Sequence, residues 1–228
     1  MRLDKFVCKS TDLTKDEAIQ RINLGELSVN DQITINETTQ IHQNNSVMLN
    51  GLTLKPRDFR YIAMHKPAAT ICSNIDDVYP SLLNCIVIDK VSELHIAGRL
   101  DVDTTGLVLI TDDGHWSFNI TAPTKKCAKV YRVQLSKEIT SDVASKFSQG
   151  IMLQGEQKLT LPAILEVISP KDVLLTLTEG KFHQVKRMFA AIGNRVTSLH
   201  RQQIGDVCLD IELGQWRYLT DDEIQSFG

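Results

Sequence analysis

The feature that most constrains this sequence is a polar stretch, GRLDVDTTG at residues 98–106, set between two apolar runs. Residues 94–97 precede it, and residues 107–111 (LVLIT) have the apolar, β-branched character of a buried strand. Charged side chains beside a core strand cost free energy unless they are paired. Ionisable groups held in such surroundings are frequent at functional sites. The stretch therefore predicts a functional turn packed against the protein core.

Length and composition predict a soluble globular protein of one or two domains. The chain has 228 residues, of which 42% are hydrophobic and 23% charged. No apolar run approaches the roughly 18 residues of a membrane span, and no secretory signal is apparent at the N-terminus. We therefore expect a cytoplasmic protein without a membrane partner. The five scattered cysteines include no CxxC pair, so neither a disulfide framework nor a metal site is expected.

The charge is distributed unevenly along the chain. The net charge of −3 argues weakly against binding nucleic acid, but residues 123–137 and 181–203 contain no Asp or Glu and each hold five lysines and arginines. A locally basic face steers a polyanion even on a mildly acidic protein. A solvated charged surface is the alternative on charge alone. The candidates for RNA contact in these two segments are Lys129, Arg132, Lys181, His183, Arg187 and Arg201.

The first 56 residues have a pattern of their own. Two helices are predicted, the second opened by a capping box from Thr14 to Glu17, followed by short strands around a turn at Asn30 and Asp31. From its opening RLDKF at residues 2–6 onward, this segment resembles the S4 RNA-binding domain. The resemblance implies RNA contact through the two helices and the following turn. A small structural cap without RNA contact is the alternative.

Residues 57–228 alternate strands with helices, which predicts an α+β domain with a mixed, mainly antiparallel sheet flanked by helices. Residues 129–135 alternate as a strand, with Tyr131 on its apolar face. Residues 183–192 read as a helix that has its buried stripe at Val185, Met188, Phe189 and Ile192.

Three side chains in this second region are candidates for chemistry. Asp101 is a possible nucleophile, a base, or a structural acceptor for turn amides. Tyr131 is either a surface on which a base stacks or a core tyrosine. Lys186 lies at the edge of its helix and is suited to pair with a buried carboxylate. We expect Arg99 to share the side of Asp101, and residues 103–105 to satisfy the amides of the turn.

Residues 98–107, 129–131 and 179–188 resemble, in order and spacing, the motifs of the pseudouridine synthases. Residues 199–205 extend the likeness to the branch that joins an S4 domain to the catalytic domain, and the resemblance covers essentially the whole chain. It implies that Asp101 is the catalytic aspartate, that Tyr131 stacks on the base, and that Lys186 pairs with the aspartate. It implies that Arg99 fills the gap left by an extruded nucleotide, and that neither cofactor nor metal is needed.

The resemblance further implies isomerisation of one uridine in ribosomal RNA, with 16S small-subunit rRNA the expected target. We expect a monomer acting on RNA in a folded or protein-bound pre-ribosomal particle. Large-subunit rRNA and a catalytically inactive S4-type rRNA-binding protein are the alternatives. A nuclease or glycosidase that uses Asp101 and Asp103 as an acid/base pair is a third.

Overall fold

The chain forms two compact units, Met1–Asp58 and Phe59–Gly228, in a computed structural model that describes all 228 residues. The boundary expected from the sequence, after residue 56, lies close to this division. None of the six α-helices has the length and apolar character that crossing a bilayer requires.

The first unit contains two helices and a four-stranded antiparallel sheet in the order β2-β1-β3-β4. Its elements are α1 (Leu3–Ser10), α2 (Lys15–Asn23), β1 (Leu27–Val29), β2 (Gln32–Ile33), β3 (Val47–Leu49) and β4 (Leu52–Thr53). The predicted capping box is confirmed, because Thr14 and Glu17 bond each other's backbone N–H at the start of α2. Leu3, Val7, Ala18, Ile22 and Leu27 form the centre of its core.

The opening RLD motif has a structural role in this unit. Asp4 is buried in the first turn of α1 and accepts hydrogen bonds from Arg2 Nε at 3.1 Å and Arg2 Nη2 at 2.9 Å. The backbone N–H of Lys5 donates to the same carboxylate at 2.8 Å. A buried carboxylate needs such partners, so the guanidinium of Arg2 is committed to the start of the helix.

The second unit is built on a nine-stranded sheet. Its strands are β5 (Tyr61–Lys66), β6 (His95–Ala97), β7 (Thr105–Thr111), β8 (Lys129–Leu135), β9 (Ile164–Ser169), β10 (Asp172–Leu177), β11 (Val196–Ile204), β12 (Val207–Cys208) and β13 (Trp216–Tyr218). The main path is β13-β5-β7-β11-β8-β10-β9, with β6 paired to β7 and β12 to β11. Only β7 and β11 pair in parallel. The predicted mixed, mainly antiparallel sheet is therefore confirmed.

Four helices flank this sheet: α3 (Gly114–Thr121), α4 (Val143–Ser148), α5 (Gln184–Ala191) and α6 (Asp221–Gln225). Strand β7 packs on both faces, because Leu107 and Leu109 join a cluster with Trp116 of α3, whereas Val108 and Ile110 join a different cluster. A strand buried on both faces reads as a continuous apolar run rather than an alternation, which explains the run that follows the polar stretch.

Gly106 lets β7 and β11 approach each other closely. Its φ is +117°, and a Cβ atom at this position would overlap the backbone nitrogen and carbonyl oxygen of Arg201 on β11. Glycine adopts positive φ without the steric cost that other residues incur. The end of the polar stretch is therefore fixed by a backbone-to-backbone contact that no other residue fits.

A pair of histidines lies at the same junction. His200 Nδ1 is 2.8 Å from Thr105 Oγ1, the first residue of β7, and its ring packs edge-on against His65 with the centroids 5.3 Å apart. Burial lowers the pKa of His200, and the charges of His65 and Arg132 lower it further. The neutral form of His200 is therefore the one that the fold favours.

We predict that Gly106→Ala lowers the free energy of unfolding by about 2 kcal/mol or more, because the new methyl group forces β7 and β11 apart. Urea unfolding measures the change. Gly114→Ala is the matched control, since a Cβ there meets no atom within 4 Å. It should shift stability by less than about 1 kcal/mol, and an equally small effect of Gly106→Ala would contradict the prediction.

We predict that His200→Gln weakens the loss of stability in mild acid. The unfolded chain takes up a proton near the ordinary pKa of 6.5, whereas the folded chain does so only at lower pH. Stability from this site is therefore present above pH 6.5 and lost as the pH falls through the lowered folded value. Urea unfolding at about pH 7 and about pH 5 should show a smaller difference for the variant than for wild type. The exposed His115→Gln should behave as wild type, and equal differences for all three proteins would refute the assignment.

Candidate active site

The polar turn, residues 98–104, connects the antiparallel strands β6 and β7 and is bonded to a fully buried lysine. Lys66, the last residue of β5, donates from Nζ to the carbonyl oxygens of Pro67 at 3.0 Å, Thr104 at 3.0 Å and Val102 at 3.4 Å. The backbone N–H of Ala69 also donates to Val102 O at 2.9 Å. Burial lowers the pKa of Lys66, although the carboxylates of the turn oppose this effect. The turn is thus held in place by hydrogen bonds from Lys66 and Ala69 to its backbone carbonyl oxygens.

A second buried cation joins the start of the polar turn to β7. Arg201 of β11 donates from Nη2 to Gly98 O and from Nε to Leu107 O, both at 2.8 Å. Its Nη1 lies 3.4 Å from the hydroxyl oxygen of Tyr131. Carbonyl groups satisfy a buried guanidinium without an opposing charge, at a cost in desolvation. Arg201 therefore ties the turn, β7 and Tyr131 into one unit.

Asp101 stands at the centre of the turn and is engaged by two side chains from the start of α5. Lys186 Nζ is 3.0 Å from Asp101 Oδ2, and His183 Nε2 is 3.4 Å from Asp101 Oδ1. The Asp101 side chain is 27% exposed, so the carboxylate remains accessible to a ligand. The structure thus places Lys186 beside the aspartate with which the family resemblance pairs it.

Lys186 is shared between two carboxylates. Its Nζ is 2.6 Å from Asp103 Oδ1, which is closer than its contact with Asp101. Burial lowers the pKa of Lys186, but hydrogen bonds to Asp103 and Asp101 outweigh it and the net pKa is raised. The hydrogen bond from Lys186 lowers the pKa of Asp103. Asp103 thus contacts the ammonium group in addition to its contacts within the turn, with its own backbone N–H and with Thr104 Oγ1.

The N-terminal end of α5 is braced so that its side chains reach Asp101. Gln184 accepts from the backbone N–H of Lys181 at 2.8 Å and donates to Glu179 Oε1 at 2.7 Å. Val185 and Met188 are buried in the core, which turns the intervening Lys186 toward the polar turn. The helical spacing of the buried residues therefore fixes the direction in which the Lys186 side chain points.

Tyr131 lies on β8, close to the polar turn. Its side chain is 8% exposed and belongs to the apolar cluster that also contains Val133 and Leu135. The Arg201 guanidinium lies 5.9 Å from the centre of the Tyr131 ring. The alternation predicted for this strand is confirmed, since Arg132 and Gln134 are exposed while Tyr131 and its apolar neighbours are buried.

Arg99 differs from the other cations of the turn. It is exposed, and it makes neither a hydrogen bond nor an ion pair within the protein. Since it follows Gly98, which Arg201 anchors, its backbone is fixed while its guanidinium remains available.

Two of the residues expected to contact RNA are in the wrong place to do so. Lys129 is buried and donates to the carbonyl oxygens of Ile120 at 3.0 Å and Cys127 at 2.9 Å. Arg201 is buried beneath the polar turn, as described above. Their charges are satisfied by backbone carbonyls, so the expectation of a surface role is corrected to a structural one for both.

The other basic candidates lie nearer the surface, and most already have a carboxylate partner. Arg132 Nη2 is 2.6 Å from Asp172 Oδ2. Lys181 Nζ is 3.0 Å and Arg187 Nη2 is 3.2 Å from the same carboxylate, Glu156. The acid-free segments of the sequence are therefore neutralised in part by acids from elsewhere in the chain.

The holding residues Lys66 and Ala69 were missed in the sequence. Ala69 adopts φ +62°, which is unusual for a residue with a Cβ. No local sequence pattern predicts this conformation. A lysine followed by proline at the end of an apolar strand is the one available signal for Lys66. No group of three or more His, Cys, Asp and Glu side chains is arranged to hold a metal ion.

Comparison with known proteins gives concordant results. Residues 60–191 match the family described as RNA pseudouridylate synthase. The chain is 49% identical over 228 residues to ribosomal small subunit pseudouridine synthase A of Vibrio cholerae, covering 99% of both chains. It is 43% identical over 229 residues to the protein of that name from Escherichia coli, again covering 99% of both.

A solved structure described as a pseudouridylate synthase shares the fold over the full length. It superposes with a TM-score of 0.74 at 42% identity and covers 100% of both chains. By the family match, the full-length relatives and this structure, the chain belongs to the RNA pseudouridylate synthases.

Proposed function

We propose that this chain converts a uridine of 16S small-subunit ribosomal RNA to pseudouridine, with Asp101 as the catalytic carboxylate. The observation that carries the proposal is the arrangement at the polar turn, where Asp101 is accessible and fixed by Lys186 at 3.0 Å, and where Arg201 links the turn to the ring of Tyr131. The names of the full-length relatives support the choice of RNA.

The isomerisation breaks one bond and forms another between the same two fragments. The C1′–N1 glycosidic bond is cleaved, the uracil turns, and C5 joins C1′. The proton on C5 is released, and N1 gains a proton. Asp101 acts as the nucleophile that assists cleavage. The ammonium of Lys186, 3.0 Å away, orients that carboxylate.

The remaining side chains hold the uridine. The ring of Tyr131 provides a surface against which the base packs, and its hydroxyl is oriented by Arg201. Extruding a nucleotide from a stack costs a few kcal/mol. Arg99, exposed and without an internal partner, is suited to occupy the gap and to contact backbone phosphates. Free uracil must stay in the site between cleavage and rejoining. A rigid site favours this, and the carbonyl oxygens of the polar turn are fixed by hydrogen bonds.

We also infer that the enzyme, acting as a monomer, recognises RNA in a folded or protein-bound particle. The chain has a net charge of −3, and its surface cations Arg132, Lys181 and Arg187 are paired with carboxylates. Affinity for naked single strands depends on neutralisation of their phosphates by lysines and arginines. The paired cations of this surface provide little of that neutralisation. The unit Met1–Asp58, which resembles the S4 RNA-binding domain, supplies a second contact.

We predict that Asp101→Asn abolishes tritium release from RNA labelled at C5 of uridine, while RNA binding is retained, because the amide lacks nucleophilic charge. Asp103→Asn is the matched control, since it removes the other carboxylate that contacts Lys186. It should slow release by no more than about tenfold. Equal release from Asp101→Asn and wild type would overturn the catalytic assignment.

The same assay separates the alternative functions. An RNA-binding protein without activity releases no tritium even as wild type, whereas a nuclease or glycosidase leaves strand breaks or abasic sites. Product RNA of unchanged mass is the expected result.

We predict that a small-subunit particle or assembly intermediate is modified faster than protein-free 16S rRNA, with large-subunit rRNA unmodified. Pseudouridine mapping after incubation with each substrate gives the rates and the position. Equal rates on naked, unstructured 16S rRNA would refute the requirement for a folded particle. Modification of large-subunit rRNA would instead refute the choice of RNA.

A further inference from the structure

We propose that Phe182 and His183 form a stacking platform for the nucleobase next to the target uridine. The inference rests on the proposed function and adds a binding subsite to it. Three observations support it. The Phe182 ring is exposed, the backbone fixes its direction, and it stacks on His183, which contacts Asp101.

Phe182 is the first observation. Its side chain is 76% exposed, more than that of Phe118, the next most exposed phenylalanine at 54%. Leaving a phenylalanine in water forgoes about 1.5–3 kcal/mol of burial. The ring lies against His183 with the centroids 3.8 Å apart and the planes at 20°. One face of Phe182 is thus covered by the imidazole, and its high exposure leaves the other face open.

The stacked pair is held in place by the backbone. His183 precedes α5 with φ 48° and ψ 35°, a left-handed conformation that costs free energy in a residue with a Cβ. The carbonyl oxygen of Phe182 accepts a hydrogen bond from Arg187 Nη1 at 3.0 Å. The αL turn sets the direction of both rings, and strained residues of this kind cluster at functional sites.

The stacked pair lies beside the proposed catalytic carboxylate, and this position indicates its function. His183 Nε2 is 3.4 Å from Asp101 Oδ1, so the platform begins beside the carboxylate. Tyr131, the aromatic residue assigned to the target base, is almost fully buried, so it cannot also serve a neighbouring nucleotide. The base next to the uridine loses a stacking partner when the uridine is extruded. The open face of Phe182, whose ring is stacked on the Asp101 partner His183, replaces that stacking partner.

The ligand is best identified as a nucleobase of the same RNA strand. Every base presents a π face, so stacking on an aromatic ring tolerates any sequence. The cations that flank the pair in sequence are all paired with carboxylates, Lys181 and Arg187 with Glu156, and Lys186 with Asp101 and Asp103. The subsite therefore binds through ring contact rather than through phosphate charge.

The test uses substitutions at Phe182 in the full chain, with tritium release on the RNA or particle that wild type modifies. Phe182→Ala should raise KM about tenfold, the loss expected for one stacked base, with kcat within about threefold. Phe182→Trp should retain wild-type KM. Phe118→Ala, which removes an exposed ring on α3, should have no effect. An unchanged KM for Phe182→Ala overturns the proposal.

A fluorescence measurement reports on stacking directly. The same RNA carries 2-aminopurine on either side of the mapped uridine, and quenching on binding at one of the two positions is the expected result. Quenching should be lost in Phe182→Ala and in Phe182→Leu, which keeps apolar bulk without a ring. If Phe182→Leu binds and quenches as wild type, the contact is an apolar one with protein or sugar, and the proposal fails.

Failure of the platform and failure of the proposed function give different results. Quenching reports binding and does not depend on catalysis, so it reports the subsite even if Asp101→Asn retains activity. Conversely, loss of activity in Asp101→Asn with normal quenching in Phe182→Ala supports the catalytic assignment and overturns only the platform.

Discussion

The structure of the site depends on two buried cations that have no carboxylate partner. Lys66 and Arg201 are held by backbone carbonyls of the polar turn and its flanks, at Gly98, Val102, Thr104 and Leu107, and by Pro67. Removing a charge from water costs several kcal/mol unless hydrogen bonds replace the lost hydration. The turn supplies those hydrogen bonds, so its conformation and the burial of the cations stabilise each other. A change in either is transmitted to Asp101.

This arrangement concentrates positive charge where the reaction needs it. Lys66, Arg201 and Lys186 surround the turn, whereas Asp101 and Asp103 are its only carboxylates. On the surface, by contrast, Glu156 and Asp172 neutralise the cations of the acid-free segments. Interactions are stronger in a low-dielectric interior than at an exposed surface. A mildly acidic protein can therefore bind a polyanion by selective contact at its site rather than through a broadly basic face.

The sequence predicted the site better than it predicted the surroundings of the site. The apolar run after the polar stretch identified β7, the helical spacing put Lys186 at the edge of its helix, and the family resemblance implied its pairing with Asp101. Arg201 and Lys129 were misassigned because charge in a sequence suggests exposure. The burial of Lys129 was readable from the sequence, since it shares the alternation of Tyr131, Val133 and Leu135. The burial of Arg201 was not, because strand register and a bulge in β11 between Arg201 and Gln203 decide it. Lys66 was missed because two of the three carbonyls that hold it lie 36 and 38 residues away in the chain.

The sharing of Lys186 between two carboxylates follows from the chemistry proposed for one of them. Asp101 loses its negative charge whenever it forms a covalent bond, and a partly buried ammonium with a single partner would then be left unpaired. Asp103 is 66% exposed and lies 2.6 Å from the same nitrogen, so it remains ionised and holds Lys186 in place. The ammonium is then correctly positioned when the carboxylate of Asp101 is released. The second aspartate thus preserves the geometry of the first through the step in which the charge of the first disappears.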